Sequence, residues 1–397
     1  MADVPVTLEE PRPDGVPAAS AAADLLAFLD SDLSRLLERA ATAGAADVDR
    51  ALRAPRRTLD DLAVLLSPAA ADRLEDLAVA AHEVALRRFG RVVRLFAPLY
   101  VSNECVSTCT YCGFSAGNEI ARRTLSPDEV GTEARALRDR GFRSLLLVSG
   151  EHARIVSKDY LVECVRAVAA EVPSVSVEVQ VWDTPTYRRL VEAGCEGLVV
   201  YQETYDRATY GATHLRGKKR NFDWRLAALD RGAEAGMRQL AIGALLGLHD
   251  DWRADALAVA AHASALVRRW WRCEVSVSLP RLRPAAGGFE PAVPVTDVEL
   301  AQLVCAVRLV LPDVGLSMST REAPAMRDGL LPLGVTRMSA GSHTEPGGYA
   351  SESDAEPQFE ISDDRSPAEV AAAVRRAGYD PVWMDTIGPR CREPHPA

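Results

Sequence analysis

From about Val92 onward, short runs rich in leucine or β-branched residues alternate with stretches that carry apolar residues at helical spacing. The runs are Leu95–Val101, Ser144–Ser149, Val175–Val181, Gly197–Gln202, Leu240–Leu246, Glu274–Leu279, Val314–Ser319 and Val335–Ala340. Each but the last is followed by a helix-like segment. Parallel strands need long crossover connections, so this alternation predicts a parallel sheet covered by helices. Eight such units over this length predict a TIM-type (βα)8 barrel. The residues that end the runs are polar or charged almost throughout: Asn103-Glu104-Cys105, Gly150-Glu151-His152, Trp182-Asp183, Glu203-Thr204-Tyr205, Gly247-Leu248-His249, Arg281-Leu282-Arg283, Thr320-Arg321-Glu322 and Gly341-Ser342-His343. That face of a barrel is where its chemistry is assembled.

The flanks follow other patterns. Ala21–Thr42 and Thr58–Phe89 have helical periodicity, with Asp47 and Ser67-Pro68 reading as helix starts, which predicts a helical N-terminal extension. Met1–Ala19 is rich in Pro, Gly, Ala and acidic residues without period and is expected to be disordered. After the last run comes a Gly- and acid-rich loop, Thr344–Glu360. A helix then opens at Ser366-Pro367 and closes at Gly378, and the tail Cys391–Ala397 is expected to be loose. The division is therefore 1–90 for the extension, 91–345 for the barrel and 346–397 for a C-terminal loop, helix and tail.

With 397 residues, 48% of them apolar, the chain can bury a large core. A net charge of −10 argues against a nucleic-acid-binding surface, and the run Arg216-Gly217-Lys218-Lys219-Arg220 is too short to change that. No stretch has the length of a membrane span. Met1–Pro17 lacks the basic-then-apolar order of a signal peptide, so a cytoplasmic protein is expected. In a reducing compartment its eight cysteines are not a disulfide framework.

Three of those cysteines stand together in Cys105-Val106-Ser107-Thr108-Cys109-Thr110-Tyr111-Cys112, on the loop after the first run. A structural zinc site wants four closed ligands, typically two Cys pairs, and no second pair follows. Packing cysteines are not expected beside Ser107, Thr108 and Thr110. An iron–sulfur cluster held by three thiolates keeps one iron open, as a catalytic site requires. Cys164, Cys195, Cys273 and Cys305 read as small buried hydrophobes, and Cys391 stands alone in the tail.

The Cys-x3-Cys-x2-Cys loop, with Tyr111 before its last cysteine, resembles the radical S-adenosylmethionine (SAM) superfamily. Longer stretches are similar to one of its families, 2-iminoacetate synthase, the tyrosine lyase of bacterial thiamine biosynthesis. They include Tyr111–Ser115, Leu147–His152, Val200–Tyr205, Gly217-Lys218-Lys219, Asp223–Leu226, Ser278–Pro284, Ser319–Glu322 and Pro346–Ala350, in order from about Leu59 to Trp383. The resemblance implies a [4Fe-4S] cluster and SAM as cofactors, with methionine and a 5′-deoxyadenosyl radical formed from SAM. It also implies cleavage of the Cα–Cβ bond of L-tyrosine to 2-iminoacetate and p-cresol. Thiazole synthase is implied as product acceptor and a flavodoxin-type protein as electron donor.

Roles follow residue by residue from the same resemblance. Cys105, Cys109 and Cys112 ligate the cluster. Tyr111 lies against the adenine or is a packing aromatic. Gly150 and Glu151 stand where the superfamily carries Gly-Gly-Glu, with Ser149 replacing the first glycine; Glu151 accepts the SAM amine. Gln202 and Glu203 contact the ribose or methionine part, and Tyr205 is a catalytic candidate. Arg321 grips the substrate carboxylate, since guanidinium matches carboxylate in two parallel hydrogen bonds. Ser342 hydrogen-bonds the substrate. Arg281 and Arg283 have two readings, a cofactor or substrate carboxylate site and a structural clamp. Among His152, His214 and His343, His343 is the candidate for handling the phenol proton.

Three other readings compete. The tryptophan lyase that makes 3-methyl-2-indolic acid shares the Thr-Arg-Glu and Pro-Arg-x-Arg features, but the Gly113-Phe114-Ser115 and Gly-Lys-Lys segments fit it less well. The hydrogenase-maturation tyrosine lyase carries a further C-terminal cysteine motif, where this chain has only Cys391. A non-catalytic iron–sulfur or zinc-binding scaffold would not need polar groups at eight strand ends.

Overall fold

The computed structural model describes residues 16–383 apart from 18 and 292. Of the stretch Met1–Ala19 expected to be disordered, residues 1–15 and 18 lie outside the described residues, as does the tail with Cys391, while Val16 is placed and buried in the core. The strands are β1 (Val92–Ser102), β2 (Ser144–Ser149), β3 (Ser174–Glu178), β4 (Gly197–Glu203), β5 (Gln239–Ala244), β6 (Glu274–Ser278), β7 (Gly315–Met318), β8 (Arg337–Ser339) and β9 (Asp380–Val382). Each of β1 to β8 pairs in parallel with the next, and β8 pairs with β1, so the ring closes as the alternating pattern predicts. β9 was not anticipated. It is three residues long, contains Pro381, and runs parallel to Val92–Arg94 at the start of β1. Such a segment has no periodicity to read.

Side-chain alternation decides what the ring encloses. In β1, Leu95, Ala97, Leu99 and Val101 are buried in the core, while Phe96, Pro98 and Tyr100 line a central cavity. Barrel interiors are usually filled by large branched residues. Here the lower interior carries Ser144, Ser176, Gly197, Ser276 and Ser317, and a second cavity of about 530 Å³ lies there.

The expected helical extension consists of Ala21–Ser31, Leu33–Thr42, Ala45–Arg53, Leu59–Leu65, Pro68–Ala71 and Leu74–Phe89. Ser67 caps its helix through Oγ with Pro68 in the first turn, as read from the sequence. Asp47 does not start a helix. That helix begins after Gly44, and the Asp47 carboxylate reaches back to accept from the Gly44 N–H at 3.0 Å. The extension packs on the outer helices Trp252–Arg269 and Asp297–Val310. Asp230 accepts from the backbone N–H groups of Ala21 and Ala22 and from the Trp270 indole, and Gln302 donates to the carbonyls of Leu65 and Ser67. These bonds fix the extension to the outer helices of the barrel wall.

Beyond β8, the chain crosses back over the mouth before the helix Pro367–Arg376. The N–H groups of Glu360 and Ser362 donate to the carbonyls of Pro284 and Thr320, in the loops after β6 and β7. The crossing is anchored by Asp363, fully buried and paired with the equally buried Arg327, which also donates to the Ser339 carbonyl of β8. Removing one member of a buried pair leaves an uncompensated charge at a cost of about 3–5 kcal/mol. Asp363→Ala is therefore expected to lower the thermal unfolding midpoint markedly. A midpoint within a degree of the parent would show that this anchor contributes little.

Candidate active site

At the C-terminal ends of the strands lies a cavity of about 970 Å³, counted to its open mouth. Its wall brings together residues remote in sequence: Tyr100, Tyr111, Cys112, Glu178, Glu203, Lys219, Arg283, Arg321, Ser342 and Gln358 among them. The site is thus formed by strand ends around the ring, the cysteine loop and the crossing segment.

Two close backbone contacts hold the cysteine loop. A Cβ on Gly150 would stand 2.3 Å from the Glu104 carbonyl oxygen and 3.2 Å from Cys105 Cβ, so only glycine lets β2 approach this loop. Gly217, at φ +88°, presses against Ser107 in the same way. The loop N–H groups of Val106, Thr108 and Gly113 donate to the carbonyls of Glu151, Arg216 and Gln358. Three distant segments therefore grip one loop.

Burial raises all three thiols above their ordinary range. Cys105 is pushed up to about 11, by burial first and then by the neighbouring Cys112, while Lys219 opposes the rise at Cys109 and Cys112. Such thiols become thiolates readily only when a metal offsets their charge. Among the described residues, no three His, Cys, Asp or Glu side chains close on a point where a single metal ion would sit. A cluster makes a different demand, because each thiolate takes its own iron. The donor set fits a cluster, and the buried, unpartnered Oγ1 atoms of Thr108 and Thr110 and Oγ of Ser149 lie on the loop and on β2 beside it.

An ion network underlies the loop. Glu151 is buried and accepts from Arg225 at 3.0 Å. Glu203 accepts from Lys219 at 2.6 Å, with Arg225 4.0 Å away. Burial alone would raise the Glu203 carboxyl; Lys219 and Arg225 outweigh it and hold the group below its ordinary value. Glu203 is also the one non-glycine residue with positive φ, +73°, among the described residues, at a register shift in β4. Strain of that kind persists where surrounding structure enforces it, and it clusters at functional sites. The Arg225 Nε–H donates to the Tyr201 carbonyl just before the shift.

Tyr111 lines the cavity and its hydroxyl meets His214 Nε2 at 2.8 Å. His214 Nδ1 lies 2.8 Å from the Tyr210 carbonyl and must donate there, so Nε2 accepts from Tyr111. Burial and the nearby Lys219 push His214 down to about 3, which keeps it neutral.

The remaining sequence candidates separate into two groups. Arg321, Arg283 and Ser342 reach the cavity. Arg321 is stacked 3.4 Å above the Phe359 ring, and Arg283 Nε and Ser342 Oγ are buried without a hydrogen-bond partner. Three polar groups so placed are suited to a carboxylate-bearing ligand. Four others do not reach it. Arg281 is a clamp: it binds Glu322, Asp297 at 2.8 Å and the Val295 carbonyl. Tyr205, the catalytic candidate, is buried against His262, with hydroxyl and Nδ1 3.0 Å apart. His343 faces an outer pocket, bound to Glu345 at 2.8 Å and packed on Tyr349. Gln202 donates weakly to the Phe222 carbonyl at 3.4 Å and lies behind the wall.

Sequence reasoning assigned no role to Glu178, Lys219, Arg225, Gln358 or Phe359. Lys219 and Arg225 fall inside the Gly217-Lys218-Lys219 and Asp223–Leu226 motifs, so the sequence carries a signal for them. Gln358 and Phe359 come from an acid-rich loop that nothing in its composition connects with the barrel mouth. Gln358 accepts from the Tyr100 hydroxyl at 2.8 Å, and its amide faces the Cys112 sulfur at 3.8 Å.

Residues 99–260 match the model of the Radical SAM superfamily, and residues 278–380 match the Biotin and Thiamin Synthesis associated domain. The chain is 46% identical over 357 residues to 2-iminoacetate synthase of Escherichia coli strain K12, covering 90% of this chain and 94% of that one. It is 46% identical to 2-iminoacetate synthase of Salmonella typhimurium, covering 86% and 90%. The crystal structure of HydG, a maturase of the [FeFe]-hydrogenase, superposes with a TM-score of 0.86 at 32% identity, covering 92% of this chain and 83% of that chain.

Because the Cβ of Gly150→Ala would meet backbone rather than a flexible side chain, that variant must displace Cys105. It is expected to bind less iron and to show weaker visible absorbance after anaerobic reconstitution, at unchanged far-ultraviolet circular dichroism. Equal iron content would show that the close contact is dispensable.

Proposed function

The chain belongs to the 2-iminoacetate synthase family of radical SAM enzymes, and from that premise we propose that it cleaves the Cα–Cβ bond of L-tyrosine to 2-iminoacetate and p-cresol, supplying the thiazole part of thiamine. The observation that carries this reading is the juxtaposition, on one cavity wall, of the cysteine loop with Arg321, Arg283 and Ser342. Cys105, Cys109 and Cys112 would hold a [4Fe-4S] cluster with one iron left for the amine and carboxylate of SAM. When bound, these cofactors supply a 5′-deoxyadenosyl radical through one-electron cleavage of a carbon–sulfur bond.

The chain's own residues bind, orient and exclude. Arg321 takes the tyrosine carboxylate through its planar guanidinium, and the Phe359 ring beneath it fixes that plane. Ser342 Oγ and Arg283 Nε offer further donors toward the ligand. Glu203, held ionised by Lys219, and Glu151, paired with Arg225, are placed to accept hydrogen bonds from the amine N–H and ribose hydroxyl groups of SAM. Both carboxylates already carry a cation, so SAM would share them rather than meet bare charge. The crossing segment covers the mouth and keeps water from the reactive space. Among the described residues, no helix is long and apolar enough to cross a membrane. Since 2-iminoacetate hydrolyses in water, a thiazole synthase that takes it directly is the proposed partner, with a flavodoxin-type protein as the proposed electron donor.

The tryptophan lyase reading is tested in the same assay. Anaerobically reconstituted and reduced protein is incubated with SAM and either tyrosine or tryptophan. p-Cresol from tyrosine is expected, and indole products from tryptophan alone would overturn the assignment. Cys109→Ala should lose the broad iron–sulfur absorbance altogether. Arg321→Ala should keep that absorbance while kcat/KM for tyrosine falls about 10- to 100-fold, the worth of one charge-assisted hydrogen-bonded contact; unchanged turnover would remove Arg321 from the carboxylate site.

A further inference from the structure

Glu178 is the last residue of β3, and its side chain faces the cavity. Two carboxylates line that cavity. Glu203 is engaged by Lys219, whereas the Glu178 side chain makes no hydrogen bond or ion pair with any described residue. A carboxylate left open in an enclosed space, with no partner of its own, is in position to serve a ligand.

Its place in the ring says which part of the ligand. In a closed ring of β1 to β8, β3 lies opposite β7, and Arg321 stands just beyond β7. Glu178 is also the deeper of the two, since it ends its strand while Arg321 lies three residues past the end of its own. An amino acid gripped by Arg321 at its carboxylate carries its far end across the cavity and down toward β3. For tyrosine, that far end is the phenol.

We infer that Glu178 binds the phenol hydroxyl of the substrate and takes its proton as the Cα–Cβ bond breaks. This rests on tyrosine being the substrate. The step moves a proton only: the O–H bond breaks, its electron pair stays on the phenol oxygen, and the proton forms an O–H bond with the Glu178 carboxylate. Charge on the oxygen then stabilises the departing benzylic fragment. The carboxyl returns the proton to the same oxygen before the phenolic product leaves, so the residue ends as it began.

The groups around Glu178 are consistent with this task. Burial raises its carboxyl, Glu203 on β4 raises it further, and Lys219, Arg321 and Arg225 partly offset the rise, leaving it at about 7. Tyr100 on β1 and Tyr201 on β4 also face it, and burial together with its charge holds both phenols above their usual range. Neither tyrosine can therefore take the proton in its place. An acid–base group near neutrality both accepts and returns a proton at useful rates.

The test uses reconstituted enzyme with SAM and a reductant. Wild-type p-cresol formation is expected to rise with pH through about 7, because the acceptor must be ionised. Glu178→Gln keeps the size and loses the acceptor. It should form p-cresol about 100-fold more slowly, without that rise, while retaining the visible absorbance of the cluster. Equilibrium titration supplies a readout independent of turnover. Wild type should prefer tyrosine over phenylalanine by about tenfold, one buried hydrogen bond to a charged group, and Glu178→Leu should bind both alike. An unchanged rate and pH profile in the Gln variant, or an unchanged preference in the Leu variant, would overturn the inference. A wild type that makes no p-cresol from tyrosine overturns the substrate assignment itself and this inference with it, so the two failures are told apart by the parent enzyme.

Discussion

Arg225 is buried between two glutamates that end different strands, Glu151 after β2 and Glu203 on β4, and donates to the β4 backbone as well. Burying three charges is costly unless each is paired and hydrogen-bonded. With Lys219 the group holds two cations and two carboxylates, so it is neutral in sum. The arrangement ties the strained end of β4 to the segment that carries Gly217, which in turn presses on the cysteine loop. The position of the thiols therefore depends on an ion network that contains none of them.

The barrel was legible because it is written in repetition. Eight apolar runs separated by helical periodicity admit few architectures, and side-chain alternation within β1 is visible once the strand is placed. Where the repeat failed, reading failed too. β9 is three residues with a proline, and Asp47 has the composition of a helix start while working three positions inside one as a capping partner.

The site was legible where chemistry is local. The cysteine loop and Arg321 announce themselves by residue type and by position at a strand end. Proximity in sequence misled elsewhere: Arg281 and Arg283 are two residues apart, yet one is clamped by Glu322 and Asp297 and the other faces the cavity. Tyr205 lies two residues from Glu203 and points the opposite way. Glu178 falls in the middle of the run Val175–Val181, whose end reads as Trp182-Asp183; the structure ends β3 at Glu178, and closure of the ring turns that residue inward. Phe359 and Gln358 depend on a crossing whose anchor, Arg327 with Asp363, joins residues that no periodicity connects.

The crossing segment also sets an order in time. Protein synthesis runs from the N-terminus, and domains begin to fold as they emerge. Cys112 exists some 246 positions before Gln358, whose side chain faces its sulfur. A nascent chain thus presents its three thiols uncovered for the whole interval in which the strands from β2 to β8 are being made. Delivery of iron to an uncovered loop and delivery to a finished, covered barrel are different problems, and the order of synthesis presents the uncovered loop first.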